Sequence, residues 1–218
     1  MTRSRWSTLL WDLDGTICES GPIIAAAMVP ALADYGFDIA GRDLSTFIGP
    51  PLPQTIRELT GVTDPARLAE IVAHYRGIYV TMMHDTPTYP GVPDLIGSLA
   101  GAGAAMAIAT SKKESNARAM LTDLGLAQYF VSIRGASADE SRARKADIIA
   151  DALAELRTAG VDVSRPVMIG DREHDVAGAA EHGVPTIVVG WGYGSRAETP
   201  EAYAHVDSVA ELAALLTV

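Results

Sequence analysis

The sequence predicts an α/β fold in which a doubly wound, parallel β-sheet carries an inserted helical domain. Short apolar runs that end in small or acidic residues alternate with helical patterns, as they do in βαβ units. One long segment, residues 19–87, interrupts that alternation, because it contains helical patterns but no convincing strand. We therefore expect an α/β core over residues 1–18 and 88–218 and a helical cap over residues 19–87.

Five continuous apolar runs are the predicted strands of the core. Such runs, when turn residues bound them, are typical of parallel strands buried on both faces. They span residues 8–11, 106–109, 129–133, 167–169 and 186–189. Helical patterns follow four of them, over residues 115–124, 145–158, 175–182 and 206–216. Ligands bind at the carboxyl ends of parallel strands, and four of these ends carry Asp12, Thr110, Asp171 and the glycine-rich loop 190–195.

The inserted segment contains two predicted helical stretches. Apolar residues from Ile23 to Ala31 form one stripe, which Pro30 should kink. A second stretch covers residues 67–83, with Asp64 as its N-cap and Pro65 in its first position. The Tyr89-Pro90-Gly91-Val92 segment is a stiff junction suited to a hinge. Together these features predict a small helical domain that can move against the core.

Composition excludes several classes of protein. Apolar residues make up 48% and charged residues 20% of the 218 residues, which is typical of a folded, soluble chain. The 17 basic and 27 acidic residues give a net charge of -10, which argues against nucleic-acid and anionic-membrane partners. The longest apolar run falls short of the ~20 residues that a membrane helix needs. The lone cysteine, Cys18, suits a reducing compartment, so we expect a cytoplasmic protein.

The segment Asp12-Leu13-Asp14-Gly15-Thr16 carries the strongest chemical signal. In an extended strand, residues two apart point to the same side, so both carboxylates can face one site. Two carboxylates so close repel each other, and a divalent cation or a shared proton relieves the repulsion. Gly15 permits a sharp turn and a close approach of the backbone to a ligand. An ordinary Asp-Gly turn is the alternative interpretation.

This pattern resembles the first motif of the haloacid-dehalogenase-like hydrolase superfamily. Thr110-Ser111 is similar to the second motif, Lys145 to the third, and the segment Gly170-Asp171-Arg172-Glu173-His174-Asp175 to the fourth. The order and spacing of the motifs, and the helical insertion after the first, resemble the branch that contains phosphoglycolate phosphatases. The resemblance extends over nearly the whole chain.

The resemblance implies roles for the acidic residues. Asp12 would be the nucleophile that forms an aspartyl-phosphate, and Asp14 would protonate the leaving oxygen and then accept a proton from water. Asp12, the carbonyl of Asp14, and Asp171 would hold Mg²⁺, a hard cation that prefers oxygen ligands. Asp175, one helical turn beyond Asp171, would complete the acidic shell.

The remaining motif residues would bind the transferring phosphoryl group. Its oxygens would accept hydrogen bonds from the Thr110 hydroxyl and from the backbone N–H groups of Leu13, Asp14 and Ser111. Lys145 would neutralise charge on the phosphate and on the nucleophile. Positioned donors and positive charge of this kind supply most of the catalysis in phosphoryl transfer.

Each of these residues also has an ordinary structural interpretation. Thr110 and Ser111 can cap the next helix, Lys145 can be a solvated lysine, and Asp171 and Asp175 can complement a helix N-terminus. Other residues receive only the ordinary interpretation here. Residues 172–174 are expected on the surface, residues 112–113 are expected in solvent with a possible role in steering phosphate, and the loop 190–195 is expected to be structural.

The resulting hypothesis is Mg²⁺-dependent hydrolysis of a small phosphorylated metabolite through an aspartyl-phosphate. Phosphoglycolate and 5′-nucleotides are the substrate classes that the resemblance implies. A sugar-phosphate mutase is the alternative, because it shares the four motifs and differs mainly in the cap. A receiver-like signalling module, phosphorylated once on an aspartate, is a more distant alternative, because such domains are shorter and carry no comparable helical insert.

Overall fold

The computed structural model describes residues 5–139 and 141–217, which form a six-stranded, all-parallel sheet flanked by helices. The strand order is β3-β2-β1-β4-β5-β6. In chain order the strands are β1 (Thr8–Trp11), β2 (Ala105–Lys113), β3 (Ser132–Ala136), β4 (Pro166–Gly170), β5 (Thr186–Val189) and β6 (Ala204–Val206). This arrangement confirms the predicted α/β class with a parallel sheet.

Eight α-helices occur in the part of the chain that the structure describes. They are α1 (Gly21–Ala33), α2 (Leu52–Thr60), α3 (Pro65–Met82), α4 (Val92–Gly101), α5 (Glu114–Asp123), α6 (Lys145–Thr158), α7 (Glu173–Ala180) and α8 (Val209–Leu216). None of them is long and apolar enough to cross a membrane.

Apolar side chains project from both faces of the sheet, as the continuous apolar runs of the strands predict. In β1, Leu9 and Trp11 join one buried cluster, whereas Leu10 joins the other, because successive side chains of a strand alternate between faces. The Leu10 cluster contains Ile149 and Leu153 of α6. The sheet is therefore covered on both sides, and only its strand ends remain for a polar site.

The structure corrects the position of the third strand. The run predicted over residues 129–133 begins with a 3₁₀ turn, Ala127–Tyr129, and β3 starts only at Ser132. The Tyr129 N–H donates to the Leu126 carbonyl, so this residue closes a turn instead of entering the sheet. Apolar content alone does not separate the buried turn from the strand. The sixth strand, which was not predicted, is short and lies at the edge of the sheet.

Residues 19–87 contain α1, α2 and α3, and none of them joins the sheet. The Asp64 side chain accepts a hydrogen bond from the Arg67 N–H at 2.8 Å, which confirms the predicted N-cap of α3. Helix α1 continues through Pro30. The segment that leaves the core and the segment that returns to it lie side by side, since the Glu19 N–H donates to the Pro87 carbonyl at 2.9 Å. We propose this crossing as the boundary between core and cap.

Candidate active site

Polar side chains meet at the carboxyl ends of β1 and β4 and beside them in β2, which continues to Lys113 and so extends four residues beyond the predicted run 106–109. Strand β1 pairs with β2 on one side and with β4 on the other, so Asp12 lies between Thr110 and Asp171. All three residues are buried, and Asp12 is only 4% exposed. The parallel topology therefore brings together motifs that are about a hundred and sixty positions apart in the sequence, as is expected for the strand ends of an open α/β sheet.

Three buried carboxylates form the centre of the site. Asp12, Asp171 and Asp175 each place one carboxylate oxygen within 4.8 Å of the others. Burial raises the pKa of Asp171 well above its ordinary value, and the charges of Asp175 and Asp12 raise it further. Burial also raises the pKa of Asp12, although Lys145 opposes the effect. The surroundings of Asp12 and Asp171 therefore oppose their ionisation in the absence of a further cation.

Lys145, the first residue of α6, supplies a cation to this cluster. Its Nζ lies 2.7 Å from Asp12 Oδ1 and 2.8 Å from Asp175 Oδ1, and it donates to the Ala109 carbonyl at 3.0 Å. Burial alone would lower the pKa of Lys145, but the two carboxylates outweigh that effect and raise it. The lysine is therefore charged, and the interpretation as a solvated lysine is wrong.

The loop after β4 is braced by Asp175 itself. Its Oδ2 accepts hydrogen bonds from the N–H groups of Asp171 and Arg172, each at 3.1 Å. The other side of the loop is held by Tyr193, whose N–H donates to Asp171 Oδ2 at 2.7 Å. Any side chain at Gly192 would overlap Asp171, so the glycine-rich loop 190–195 packs directly on the cluster. These contacts agree with the structural interpretation of that loop.

The turn after β1 carries Leu13 and Asp14. The Leu13 carbonyl accepts hydrogen bonds from the N–H groups of Ile17 and Cys18, each at 2.9 Å, which folds the chain back tightly. Gly15 adopts a φ of +83°, and a Cβ there would overlap the Asp171 carboxylate. The turn therefore needs glycine for both its backbone conformation and its close approach to the cluster.

The second acid, Asp14, has a partner that the sequence analysis missed. Lys112 Nζ lies 2.9 Å from Asp14 Oδ2 and donates to Tyr79 Oη at 2.6 Å, and it also stands 4.5 Å from the centre of the Tyr79 ring. The Lys112 side chain is only 6% exposed, so the prediction of a solvated lysine is wrong. The predicted run ended at residue 109, whereas β2 continues to Lys113 with an irregular register after Ala109, so no simple alternation in the sequence indicated this contact.

The prediction that Arg172 lies on the surface is also wrong, because this residue is only 6% exposed. Its neighbours Glu173 and His174 have side chains that are 53% and 31% exposed, which agrees better with that prediction. The burial of Arg172 comes from contacts with the segment between α1 and α2, which no local pattern in the sequence indicates.

A cleft opens between the strand ends and helices α1 to α3. Asp12, Asp14, Thr110 and Ser111 line its inner end. Its remaining walls are mostly apolar and aromatic and also contain basic side chains. They include Ile24, Met28, Phe47, Ile48, Leu52, Tyr75, Tyr79, Arg76, Lys112 and Lys113. Lys145 and Ser111 border a second, neighbouring cleft. The structure therefore brings the predicted site residues to one edge of the sheet.

Comparison with protein families matches residues 9–189 to the model of the haloacid dehalogenase-like hydrolases. The chain belongs to this family. The match spans the strand-end cluster and every motif on which the resemblance was based.

Relatives within the family have several names. The chain is 42% identical over 188 residues to tyrosine-protein kinase PtkA of Mycobacterium tuberculosis, covering 85% of this chain but only 62% of that protein's length. It is 36% identical to a 5′-nucleotidase of Pseudomonas aeruginosa, over 98% of this chain and 96% of the relative. It is 32% identical to a phosphoglycolate phosphatase of Rhodospirillum rubrum, over 85% and 80% of the two chains.

Solved structures show the same fold. A predicted phosphatase from Clostridium acetobutylicum superposes with a TM-score of 0.87 at 32% identity, covering 96% of this chain and 97% of that one. These comparisons confirm the resemblance to the branch that contains phosphoglycolate phosphatases.

Proposed function

We propose that the protein is a Mg²⁺-dependent phosphatase that hydrolyses small phosphate monoesters through an aspartyl-phosphate. The observation that carries the proposal is the buried carboxylate of Asp12, paired with Lys145 at 2.7 Å and open to the inner end of the cleft. A carboxylate that a fixed cation orients at the floor of a pocket can act as a nucleophile toward phosphorus.

The donor set fits a hard divalent cation. Asp12, Asp171 and Asp175 provide carboxylate oxygens within 4.8 Å of one another, and the buried Asp171 Oδ1 has no hydrogen-bond partner in the described part of the chain. Oxygen ligands and excess negative charge are what Mg²⁺ selects. We propose that Asp12, Asp171 and the Asp14 carbonyl hold it, with Asp175 in support. When bound, the cation would neutralise phosphate charge and balance the cluster.

Two transfers at Asp12 make up the proposed reaction. Asp12 attacks phosphorus, the bond to the ester oxygen breaks, and Asp14 gives that oxygen a proton. Water then attacks the phosphoryl group, Asp14 takes its proton, and Asp12 is restored as inorganic phosphate leaves. The Thr110 hydroxyl, the N–H groups of Leu13, Asp14 and Ser111, and the Lys145 ammonium would stabilise the phosphoryl oxygens.

The walls of the cleft support a small organic phosphate as the substrate. Helices α1 to α3 cover its outer end, so water can be excluded around the reacting group. Phosphoglycolate and 5′-nucleotides are the proposed substrate classes, in line with the names of the relatives.

The net charge of -10 supports a partner other than nucleic acid or anionic membrane. The buried Cys18, whose pKa burial raises to about 12, suits the proposed cytoplasmic location as an inert thiol.

Replacement of the nucleophile tests the proposal. Asp12→Asn should abolish Mg²⁺-dependent phosphate release from a panel of phosphorylated metabolites, because an amide cannot form the aspartyl-phosphate. Asp151→Asn, which removes an exposed carboxylate on α6, is the matched control and should keep full activity. Phosphate release by Asp12→Asn at the native rate would disprove the mechanism.

The same panel separates the alternatives. A sugar-phosphate mutase would convert a hexose 1-phosphate to its isomer instead of releasing phosphate, and a receiver-like module would take up phosphate only about once. The 42% identity to tyrosine-protein kinase PtkA favours one further candidate, phosphoryl transfer to a protein tyrosine. Incubation with labelled ATP and tyrosine-containing proteins would detect that activity as labelled phosphotyrosine, which a phosphatase does not produce.

A further inference from the structure

The Arg172 guanidinium joins the strand-end loop of the core to one turn of the cap. Nη1 donates to the carbonyl of Ile48 at 2.5 Å and to that of Ser45 at 3.4 Å, and Nη2 donates to the carbonyl of Thr46 at 3.3 Å. These carbonyls lie in and just after the 3₁₀ turn Ser45–Phe47. The last carbonyls of a helical turn lack partners within the turn, and a cation is their favourable complement.

Two glycines make room for the Arg172 side chain. Gly49 in the cap has a φ of +109°, and a Cβ there would lie 3.2 Å from Arg172 Cγ. A Cβ at Gly194 in the core would lie 3.1 Å from Arg172 Cδ and would overlap the Asp171 carbonyl. Glu198 stands on the core side, with Oε2 3.5 Å from Arg172 Nε. The arginine is therefore held from the core and reaches across to the cap.

The turn that Arg172 holds is a wall of the cleft. Phe47, Ile48 and Gly49 line the cleft, whereas Arg172 itself does not. The position of this wall therefore depends on a residue that has no contact with the cleft. In addition, Arg172 directly follows Asp171, so the same short loop carries one carboxylate of the cluster and the guanidinium that holds the turn of the cap. We call the hydrogen bonds of Arg172 to the carbonyls of Ser45, Thr46 and Ile48 the clamp.

We propose that Arg172 is a positioning residue that sets the wall around the leaving group and thereby the selectivity among phosphate esters. This inference rests on the proposed phosphatase function. The phosphoryl group binds at the inner end of the cleft whatever the ester, so the clamped wall contacts only the leaving group. Loss of Arg172 should therefore impair the hydrolysis of esters with large leaving groups more than that of esters with small ones.

Hydrogen exchange tests the clamp without any need for activity. The N–H groups of Phe47 and Ile48 donate to the carbonyls of Leu44 at 3.0 Å and Ser45 at 3.2 Å, so their exchange reports on this turn. Arg172→Met keeps the aliphatic stem and removes the donors, and it should speed exchange of these amides about tenfold or more. Arg172→Lys should give an intermediate rate. Arg142→Met, which removes an exposed ion pair with Asp151, should leave the rate unchanged.

Kinetics with two esters test the effect on selectivity. Adenosine 5′-monophosphate has a large leaving group and phosphoglycolate a small one. In Arg172→Met we expect KM for the nucleotide to rise about tenfold, with kcat and the values for phosphoglycolate changing by less than about twofold. Should Arg172→Met fail to fold, Arg172→Lys, which keeps a cation but loses the forked donors, should shift the same ratio by a smaller factor.

Each outcome decides between the possibilities. Faster exchange in the turn together with an altered ratio of the two kcat/KM values supports the proposal. Unchanged exchange overturns the clamp, and faster exchange with an equal loss for both esters overturns the role in selectivity. If the native protein releases phosphate from neither ester under any Mg²⁺ condition, the proposed function and the selectivity role fall together, and the exchange rates still decide on the clamp.

Discussion

Lys145→Met is the most informative change at the carboxylate cluster, because methionine keeps the stem of the lysine and removes only its charge. The Nζ atom lies 2.7 Å from Asp12 Oδ1 and 2.8 Å from Asp175 Oδ1, and the lysine side chain is 5% exposed. After the change, the buried carboxylates have lost their nearest protein cation. We expect the free energy of unfolding to fall sharply.

The contacts set the size of this effect. At an effective dielectric constant of about 20, each of the two ion pairs of Lys145 corresponds to roughly 6 kcal/mol of Coulomb attraction. The cost of removing the charges from water offsets most of this attraction, and breaking a buried pair by removing one partner typically costs about 3–5 kcal/mol. For a chain of this length, the expected decrease in Tm is therefore about 6–20 °C.

Thermal unfolding at pH 7 in the presence of a chelator measures this decrease. Lys113→Met is the control, since it removes a neighbouring lysine that has no contact with the cluster among the described residues. Adding Asp175→Asn to Lys145→Met should restore part of the stability, because it removes one of the unpaired charges. A decrease in Tm smaller than about 2 °C for Lys145→Met would show that the two ion pairs do not stabilise the fold, and so would purely additive losses of stability in the double variant.

Two further predictions concern the neighbouring charges. The raised pKa of Asp171 means that the folded state holds its proton more tightly than the unfolded state, so in chelator this carboxyl reduces stability as pH rises from about 4 toward neutral. Asp171→Asn should therefore flatten the dependence of Tm on pH over this range and abolish stabilisation by Mg²⁺; an unchanged slope contradicts the assignment. Lys112→Met removes the cation that holds the Asp14 side chain and the donor to Tyr79; because a misplaced acid is a poorer catalyst, kcat should fall about 10- to 100-fold in steady-state assays. An unaltered kcat would show that Lys112 does not position Asp14 for catalysis.

Local patterns were sufficient to predict the core of the sheet. Strands β1, β4 and β5 are short apolar runs bounded by turn residues, and the helix that begins at Lys145 has the bounds that its periodicity predicts. Parallel topology then brings the strand ends to one edge, so the proximity of Asp12, Thr110 and Asp171 follows from the order of the strands. The third strand was misplaced by three residues at each end, because its apolar run also supplies a buried 3₁₀ turn.

The two basic residues whose burial was not predicted show why contacts between the core and the cap do not follow from the sequence. Lys112 and Arg172 both look like ordinary surface cations next to a motif. Each is buried because a cap element covers it: α3 supplies Tyr79 to Lys112, and the turn Ser45–Phe47 supplies carbonyls to Arg172. Such contacts join positions that are 33 and about 125 residues apart, so no local periodicity reports them.

By itself, the sequence determined the fold class, the edge of the sheet that carries the chemistry, and the acidic residues placed there. The fold class and the strand-end positions of Asp12 and Asp171 follow from local periodicity and from the geometry of parallel strands, whereas Asp175 was assigned to the site by the family resemblance. Only the tertiary structure decided how the charges are paired and which residues shape the cleft. Pairing within hydrogen-bond distance depends on how the helical insertion packs on the core, and that packing is set by many weak contacts spread along the whole chain.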